Sequence, residues 1–324
     1  MQTKQGKILR LKGRYINMNE MLDFLRGEGI EETTLAHLED FRRNYPVDSA
    51  QAYRVPHPKY RYYGAEVWRK ALAGLLAGEN LLLVGPKATG KNVLAENLAA
   101  VFGRPQWDIS FYLNTDAASL IGADTFKNGE VSLRRGPIYQ CAAEGGFGVL
   151  DEINMAKNES LSVLHATLDF RRIIDVPGYD RIELAPCTRF IATMNYGYAG
   201  TREINEALAS RFMVINMPII SADNLEKLML AQFPTLRQEY ARQLAELFQE
   251  LRVKCDSSEI STKALDLRGL LAAVGLTRQG LTLDEALEMG IVNKSFDDFE
   301  RQLVSDVITA RIPAELDESK LFTK

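Results

Sequence analysis

Four consecutive apolar residues, Leu81-Leu82-Leu83-Val84, run straight into Gly85-Pro86-Lys87-Ala88-Thr89-Gly90-Lys91-Asn92, and a helical pattern begins immediately behind them. A short unbroken apolar run marks a strand buried on both faces, the habit of parallel sheets covered by helices. Gly85 and Gly90 permit backbone conformations closed to other residues. Between a strand and a helix, this spacing suits a loop whose backbone N–H groups and helix N-terminus wrap a polyphosphate. Gly85, Pro86, Lys87, Ala88, Thr89, Gly90, Lys91, Asn92 and Val93 are therefore the candidate nucleotide-binding residues, with Lys91 as the cation on the β- and γ-phosphates. The usual pattern ends in Ser or Thr, whose hydroxyl ligates magnesium; here that position is Asn92. A carboxamide oxygen is also a hard neutral ligand. Asn92 either coordinates Mg²⁺, directly or through water, or weakens metal binding and slows hydrolysis.

Beyond the loop the pattern alternates. Helical spacing over residues 93–102 gives way to a strand-like stretch at 106–110, then to a buried apolar strand at 148–150. A helix over about 159–169 and strands at 189–193 and 214–217 follow. Strands alternating with helices imply a parallel sheet in a three-layer αβα core. The apolar strand at 148–150 ends in Asp151-Glu152. Side chains alternate along a strand, so the two carboxylates cannot do the same job. Both fall beyond the carboxyl end of a strand, where α/β sheets bind ligands. Asp151 is assigned to Mg²⁺ and Glu152 to polarising an attacking water.

After Pro218 the strands stop, and residues 224–230, 237–251, 265–276, 282–289 and 296–310 read as amphipathic helices. The chain divides into an N-terminal helical and basic extension (1–63), an α/β nucleotide-binding core (64–219), an all-α domain (220–313) and a tail (314–324). In the extension, Lys4, Lys7, Arg10, Lys12 and Arg14 form a basic arm, and residues 18–26 and 35–43 have helical spacing. Tyr60, Tyr62 and Tyr63 flank Arg61 and are expected to pack the extension onto the core. Stacking on nucleic acid is the weaker reading, because 39 basic residues face 43 acidic ones for a net charge of −4. Cys141, Cys187 and Cys255 are far apart and have no metal-ligand spacing to the histidines, which suits a reducing compartment. No apolar run approaches the ~18 residues of a membrane span, and the basic N-terminus lacks a signal's apolar stretch. The expected location is the cytoplasm.

Three stretches carry a resemblance: Leu150-Asp151-Glu152-Ile153-Asn154, Ala192-Thr193-Met194-Asn195, and Gly200-Thr201-Arg202-Glu203-Ile204-Asn205-Glu206-Ala207-Leu208-Ala209-Ser210-Arg211-Phe212. Together they resemble the AAA+ ATPases over roughly residues 64–313, most of all the MoxR and dynein-related group with its NorQ, CbbQ and GvpN-type relatives. The resemblance implies ATP and Mg²⁺ as cofactors and makes the all-α domain a lid. It casts Asn195 as the sensor that orients water and reads the γ-phosphate. Arg211 becomes the arginine finger reaching a neighbouring subunit's nucleotide, with Arg202 as a candidate second trans contact. Arg268, in Leu265-Asp266-Leu267-Arg268-Gly269-Leu270, matches the second sensor, with Lys263 as its competitor. An insert at 114–136 and a hairpin at 172–184 would face the pore or the client. The implied function is an ATP-driven motor that assembles as a homo-oligomeric ring, expected to be a hexamer. It would mature a separate client or a von Willebrand factor A-type partner. The alternatives are a nucleotide-binding scaffold with slow or no hydrolysis, which Asn92 supports, and a nucleic-acid or GTP-driven translocase. Near-neutral charge and the absence of N-K-x-D after the loop argue against the last.

Overall fold

The computed structural model describes residues 18–127, 129–196, 203–313 and 315–323. The basic arm before Met18, Asn128 of the insert, and Arg202 lie outside the described residues. In chain order the strands are β1 (Leu81–Val84), β2 (Gln106–Ser110), β3 (Gly122–Lys127), β4 (Glu130–Arg135), β5 (Phe147–Asp151), β6 (Ile173–Ile174), β7 (Ile182–Glu183), β8 (Arg189–Met194) and β9 (Met213–Asn216). Five of them form one parallel sheet in the order β2-β5-β8-β1-β9. β1 therefore sits inside the sheet, which is why Leu81, Leu82 and Leu83 are all buried and why the run is unbroken by polar residues. The parallel register sets Val84 beside Met194 and Leu150 beside Ala192, so the carboxyl ends of β1, β5 and β8 open onto one crevice.

The remaining strands pair as two antiparallel hairpins, β3–β4 within the insert and β6–β7 before β8. They touch where the Tyr179 hydroxyl donates to Asp124 at 2.6 Å. The expected helix over 159–169 forms as three short helical turns, Asn158–Leu161, Ser162–Leu164 and His165–Leu168. Leu161, Leu164 and Leu168 keep helical spacing and are buried, which explains the continuous pattern. The Ser162 hydroxyl donates to the Glu159 carbonyl at 2.7 Å, a local bond that competes with helix geometry.

The extension is part of the core. Helices α1 (Met18–Gly27) and α2 (Glu32–Asn44) precede α3 (Ala65–Leu76) and α4 (Lys91–Phe102). Leu25, Leu35, Leu38 and Phe41 share one buried cluster with Leu81, Leu83, Leu98 and Phe102. Phe41 meets Phe102 edge-on at 5.0 Å. Arg42 donates to the Ala100 and Val101 carbonyls, placing a cation on the C-terminal end of α4.

Past β9 the chain is helical: Ala222–Gln232, Gln238–Asp256, Leu267–Thr277, Leu283–Gly290 and Asp298–Arg311. The stripe Leu244, Leu247, Phe248 and Leu251 lies in their common core. The segment expected as a tail also belongs to this core. Leu316, Leu321 and Phe322 are buried in it, and the Thr323 N–H donates to the Thr235 carbonyl at 2.7 Å. Two of the helices cross backbone to backbone: a Cβ on Gly269 would lie 2.0 Å from the Gly290 carbonyl oxygen, and one on Gly290 would lie 2.6 Å from that of Gly269.

Candidate nucleotide site

The loop after β1 turns through two left-handed residues, Ala88 and Gly90, before α4 starts at Lys91. No side chain caps the first turn of α4. Its backbone donors are thus left for a ligand, at the end of the helix that favours negative charge. Lys91 is buried and curls back, donating to the Gly85 carbonyl at 2.9 Å, the Pro86 carbonyl at 2.8 Å and the Thr89 hydroxyl at 3.3 Å. Burial pushes its ammonium down to about 8, while Asp151 and Glu152 pull it back up. Gly85 and Pro86 turn their carbonyls to Lys91 and stay out of the cleft wall; residues 87–93 line it.

At the end of β5 the two carboxylates divide as alternation requires. Asp151 accepts from the Thr193 hydroxyl at 2.6 Å and from the Asn92 carboxamide at 3.0 Å. Glu152 takes a left-handed backbone, φ 55° and ψ 46°, which is uncommon outside glycine and costs energy. The Glu152 N–H donates to the Thr193 hydroxyl at 3.0 Å, and its carboxylate accepts from Asn195 at 3.0 Å. A continuous polar chain thus runs from Asn92 through Asp151, Thr193 and Glu152 to Asn195. In sequence Thr193 ends a strand and sits in the 192–195 stretch of the resemblance, with no role of its own; the parallel register, which sets the ends of β5 and β8 side by side, reveals its bridge.

These groups border a cleft of about 660 Å³ between the α/β core and the helical domain. Tyr60–Gly64 form part of its wall, as do Ile220, Asn224 and the first residues of the helix that begins at Leu267. Residues 60–64 are pinned from four sides. Glu28, in the turn just after α1, accepts the Gly64 N–H at 2.7 Å, the Trp68 indole donates to the Tyr62 carbonyl at 2.8 Å, and Asn97 donates to the Tyr60 carbonyl at 2.8 Å. Asn224, from the helical domain, donates to the Tyr63 carbonyl at 3.4 Å. The Tyr62 ring lies against Gly90, where a Cβ would meet it at 3.2 Å, and burial raises its phenol above the usual tyrosine range. Tyr62 does pack the extension onto the core, while Tyr60 and Tyr63 lie against the cluster of the helical domain. Sequence reasoning missed that the same residues wall the cleft.

Residues 80–212 match the family model of the AAA domain, dynein-related subfamily. The chain is 33% identical over 242 residues to the uncharacterized protein YojN of Bacillus subtilis (strain 168), covering 73% of this chain and 79% of that one. An uncharacterized protein of Staphylococcus haemolyticus (strain JCSC1435) is 34% identical over 245 residues, covering 74% of this chain and 92% of its own. The chain belongs to the dynein-related AAA family. It is accordingly a nucleotide-binding AAA+ ATPase, with an α/β AAA core and an all-α lid.

Within the AAA core, Arg211 lies away from its own cleft. Its Nε donates to the His165 carbonyl at 3.1 Å, a second nitrogen donates to the Ala207 carbonyl, and a third meets Asp169 at 3.4 Å. Asp169 also accepts from Arg171 at 2.7 Å, and chiefly this bond holds its carboxyl down at about 2. Arg268, at the start of the lid helix Leu267–Thr277, lines the same cleft as the phosphate loop. Asp266 caps that helix, accepting the Arg268 and Gly269 N–H groups. Lys263 stands over the Phe296 ring at 5.6 Å, not on the cleft wall. No helix among the described residues is long and apolar enough to cross a membrane.

Proposed function

We propose that this AAA protein hydrolyses ATP and uses the cycle to remodel a partner, as a MoxR-type ring. The observation carrying the hydrolytic reading is the bonded chain Asn92–Asp151–Thr193–Glu152–Asn195 beside a buried lysine. ATP seats its phosphates on residues 87–93 and its base against Tyr60–Gly64. Lys91 swings from the loop carbonyls to the β- and γ-phosphates. Glu152 accepts the proton of the attacking water as the γ-phosphorus is transferred and ADP leaves, and Asn195, already bonded to that carboxylate, orients the water.

The donor chemistry fits Mg²⁺. Asp151 offers a carboxylate, and Asn92, donating through its nitrogen, keeps its carboxamide oxygen as a neutral hard ligand. Among the described residues no group of three acidic, histidine or cysteine side chains could hold a metal alone, so the nucleotide's phosphates would complete the shell. Bound there, Mg²⁺ would neutralise phosphate charge. Arg268 reads the γ-phosphate from the lid in cis. Arg211, bonded away from its own cleft, reaches a neighbour's nucleotide in trans; such arginines are worth ~10³–10⁵ in rate. The family resemblance supports the ring, a hexamer, together with a separate client or von Willebrand factor A-type partner and a cytoplasmic location.

Glu152→Gln tests this reading. The variant is expected to bind ATP as tightly as wild type, to lose turnover, and to sediment with ATP as a larger species than without it. A Glu152→Gln chain that still hydrolyses ATP overturns the role. A wild type that binds ATP with no turnover at any Mg²⁺ concentration leaves the scaffold reading, which the Asn92–Asp151 bond also accommodates.

A further inference from the structure

A second groove, of about 440 Å³, opens at the β2 edge of the sheet, outside the nucleotide cleft. Trp107 of β2 lies in it, Tyr53 and Arg54 enter from the extension, and Arg134 and Arg135 come from β4. The Arg54 guanidinium stands 4.6 Å from the Trp107 ring centroid, and its Nε donates to the Tyr53 hydroxyl at 3.1 Å. The indole desolvates one face of that cation and fixes it in place. Arg135 is likewise set over Tyr139 at 5.3 Å. Among the described residues, no carboxylate lies within 4.0 Å of any of these three guanidiniums, although Glu144 lines the same groove. Elsewhere on the surface Arg43, Arg171, Arg242, Arg301 and Arg311 are each paired with an acid. Three like charges line this one groove, and an anion bound there would relieve the repulsion among them.

An apolar strip leads into the groove. Phe126 and Val131 are directly opposed across the β3–β4 hairpin and are 75% and 63% exposed. By the two-residue period, Leu133 and Arg135 follow Val131 on the same face. Asp124, on that face too, is occupied by the Tyr179 hydroxyl.

We propose that this groove binds an acidic segment of another protein, its carboxylates on Arg54, Arg134 and Arg135 and an apolar side chain on the Phe126–Val131 pair. Charge complementarity selects the class: an anion answers the unpaired cations, while the apolar strip and Glu144 suit a peptide better than a phosphodiester backbone, which tracks a continuous basic surface. The site is separate from the ATP cleft, so the proposal stands or falls independently of the hydrolytic reading.

The probe is a fluorescein-labelled peptide alternating glutamate with phenylalanine, followed by anisotropy on the full chain without nucleotide. Saturable binding is expected, weakened by salt and lost when glutamine replaces glutamate in the peptide. Arg134→Gln and Arg135→Gln, both at exposed positions, should each weaken binding about tenfold, as for one lost charge-assisted contact. Unchanged binding of an ATP analogue shows that these variants are folded. The proposal is overturned if wild type shows no saturable binding, if the glutamine peptide binds equally, or if the double variant binds like wild type. It is also overturned if oligothymidylate binds more tightly than the peptide and loses that binding in the double variant.

Discussion

On the hydrolytic reading proposed above, the Asn92 carboxamide takes the place of a hydroxyl at the head of the phosphate loop. Its nitrogen donates to Asp151, and its oxygen stays available to a cation. Asn92→Ala removes both. The Mg²⁺ needed for half-maximal turnover is expected to rise about tenfold, as for loss of a supporting metal contact, with nucleotide binding in a chelator unchanged. Lys91 makes a pH prediction. In the free protein its ammonium titrates near 8, and phosphate oxygens favour the charged form. Above that value binding must take up a proton, so ATP affinity should fall with rising pH, approaching about tenfold per unit. Below it affinity should be flat. Titrating a fluorescent ATP analogue between about pH 7 and 9.5 checks this, and Lys91→Arg should remove the slope because arginine stays charged throughout. Lys91→Ala should lose binding with the fold intact. Lys91, Asp151 and Glu152 were legible because chemistry at a strand end needs those side chains at that spacing. The Thr193 bridge was not, because only pairing of β5 with β8 reveals it.

Among elements, the loop Tyr60–Gly64 depends on α1, which lies outside the matched AAA model. Phe24 of α1 meets Tyr63 edge-on at 5.4 Å, and in the turn just after the helix the Glu28 carboxylate accepts the Gly64 N–H. Glu28→Gln weakens a charge-assisted bond and should raise the KM for ATP about tenfold with kcat nearly unchanged, since Lys91 and Glu152 are untouched. Equal losses in kcat and kcat/KM would instead mean that the loop acts in the chemical step. The inner strands β1, β5 and β8 were legible because burial on both faces leaves an apolar run, whereas the edge strands β2 and β9 are only partly buried and had to be read from their place in the strand–helix alternation. The 158–168 segment is helical as expected but tightens to a 3₁₀ turn at Ser162–Leu164, which leucines at helical spacing cannot report. The walls of the cleft were opaque for a different reason: they join residues about 160 positions apart, Tyr63 with Asn224.

For the whole molecule, the lid closes only with its last residues in place. Leu321 is fully buried against the lid core, so Leu321→Ala should cost about 2–5 kcal/mol in a urea titration, where a solvated tail would give almost nothing. If the ring reading holds, Arg211→Ala and Lys91→Ala chains, each inactive alone, should regain part of the ATPase rate when mixed. Within mixed rings an intact Lys91 site can then meet an intact Arg211 from its neighbour. Within the lid, the seat of the helix that carries Arg268 rests on the point where Gly269 and Gly290 touch, one residue from Arg268. Divergence at these two sites is therefore coupled. A lineage that gained even a methyl group at either would have to spread the two helices apart, and Arg268 would be carried off the cleft wall with them. Among descendants of this sequence, the glycine pair and the arginine should be inherited, or lost, together.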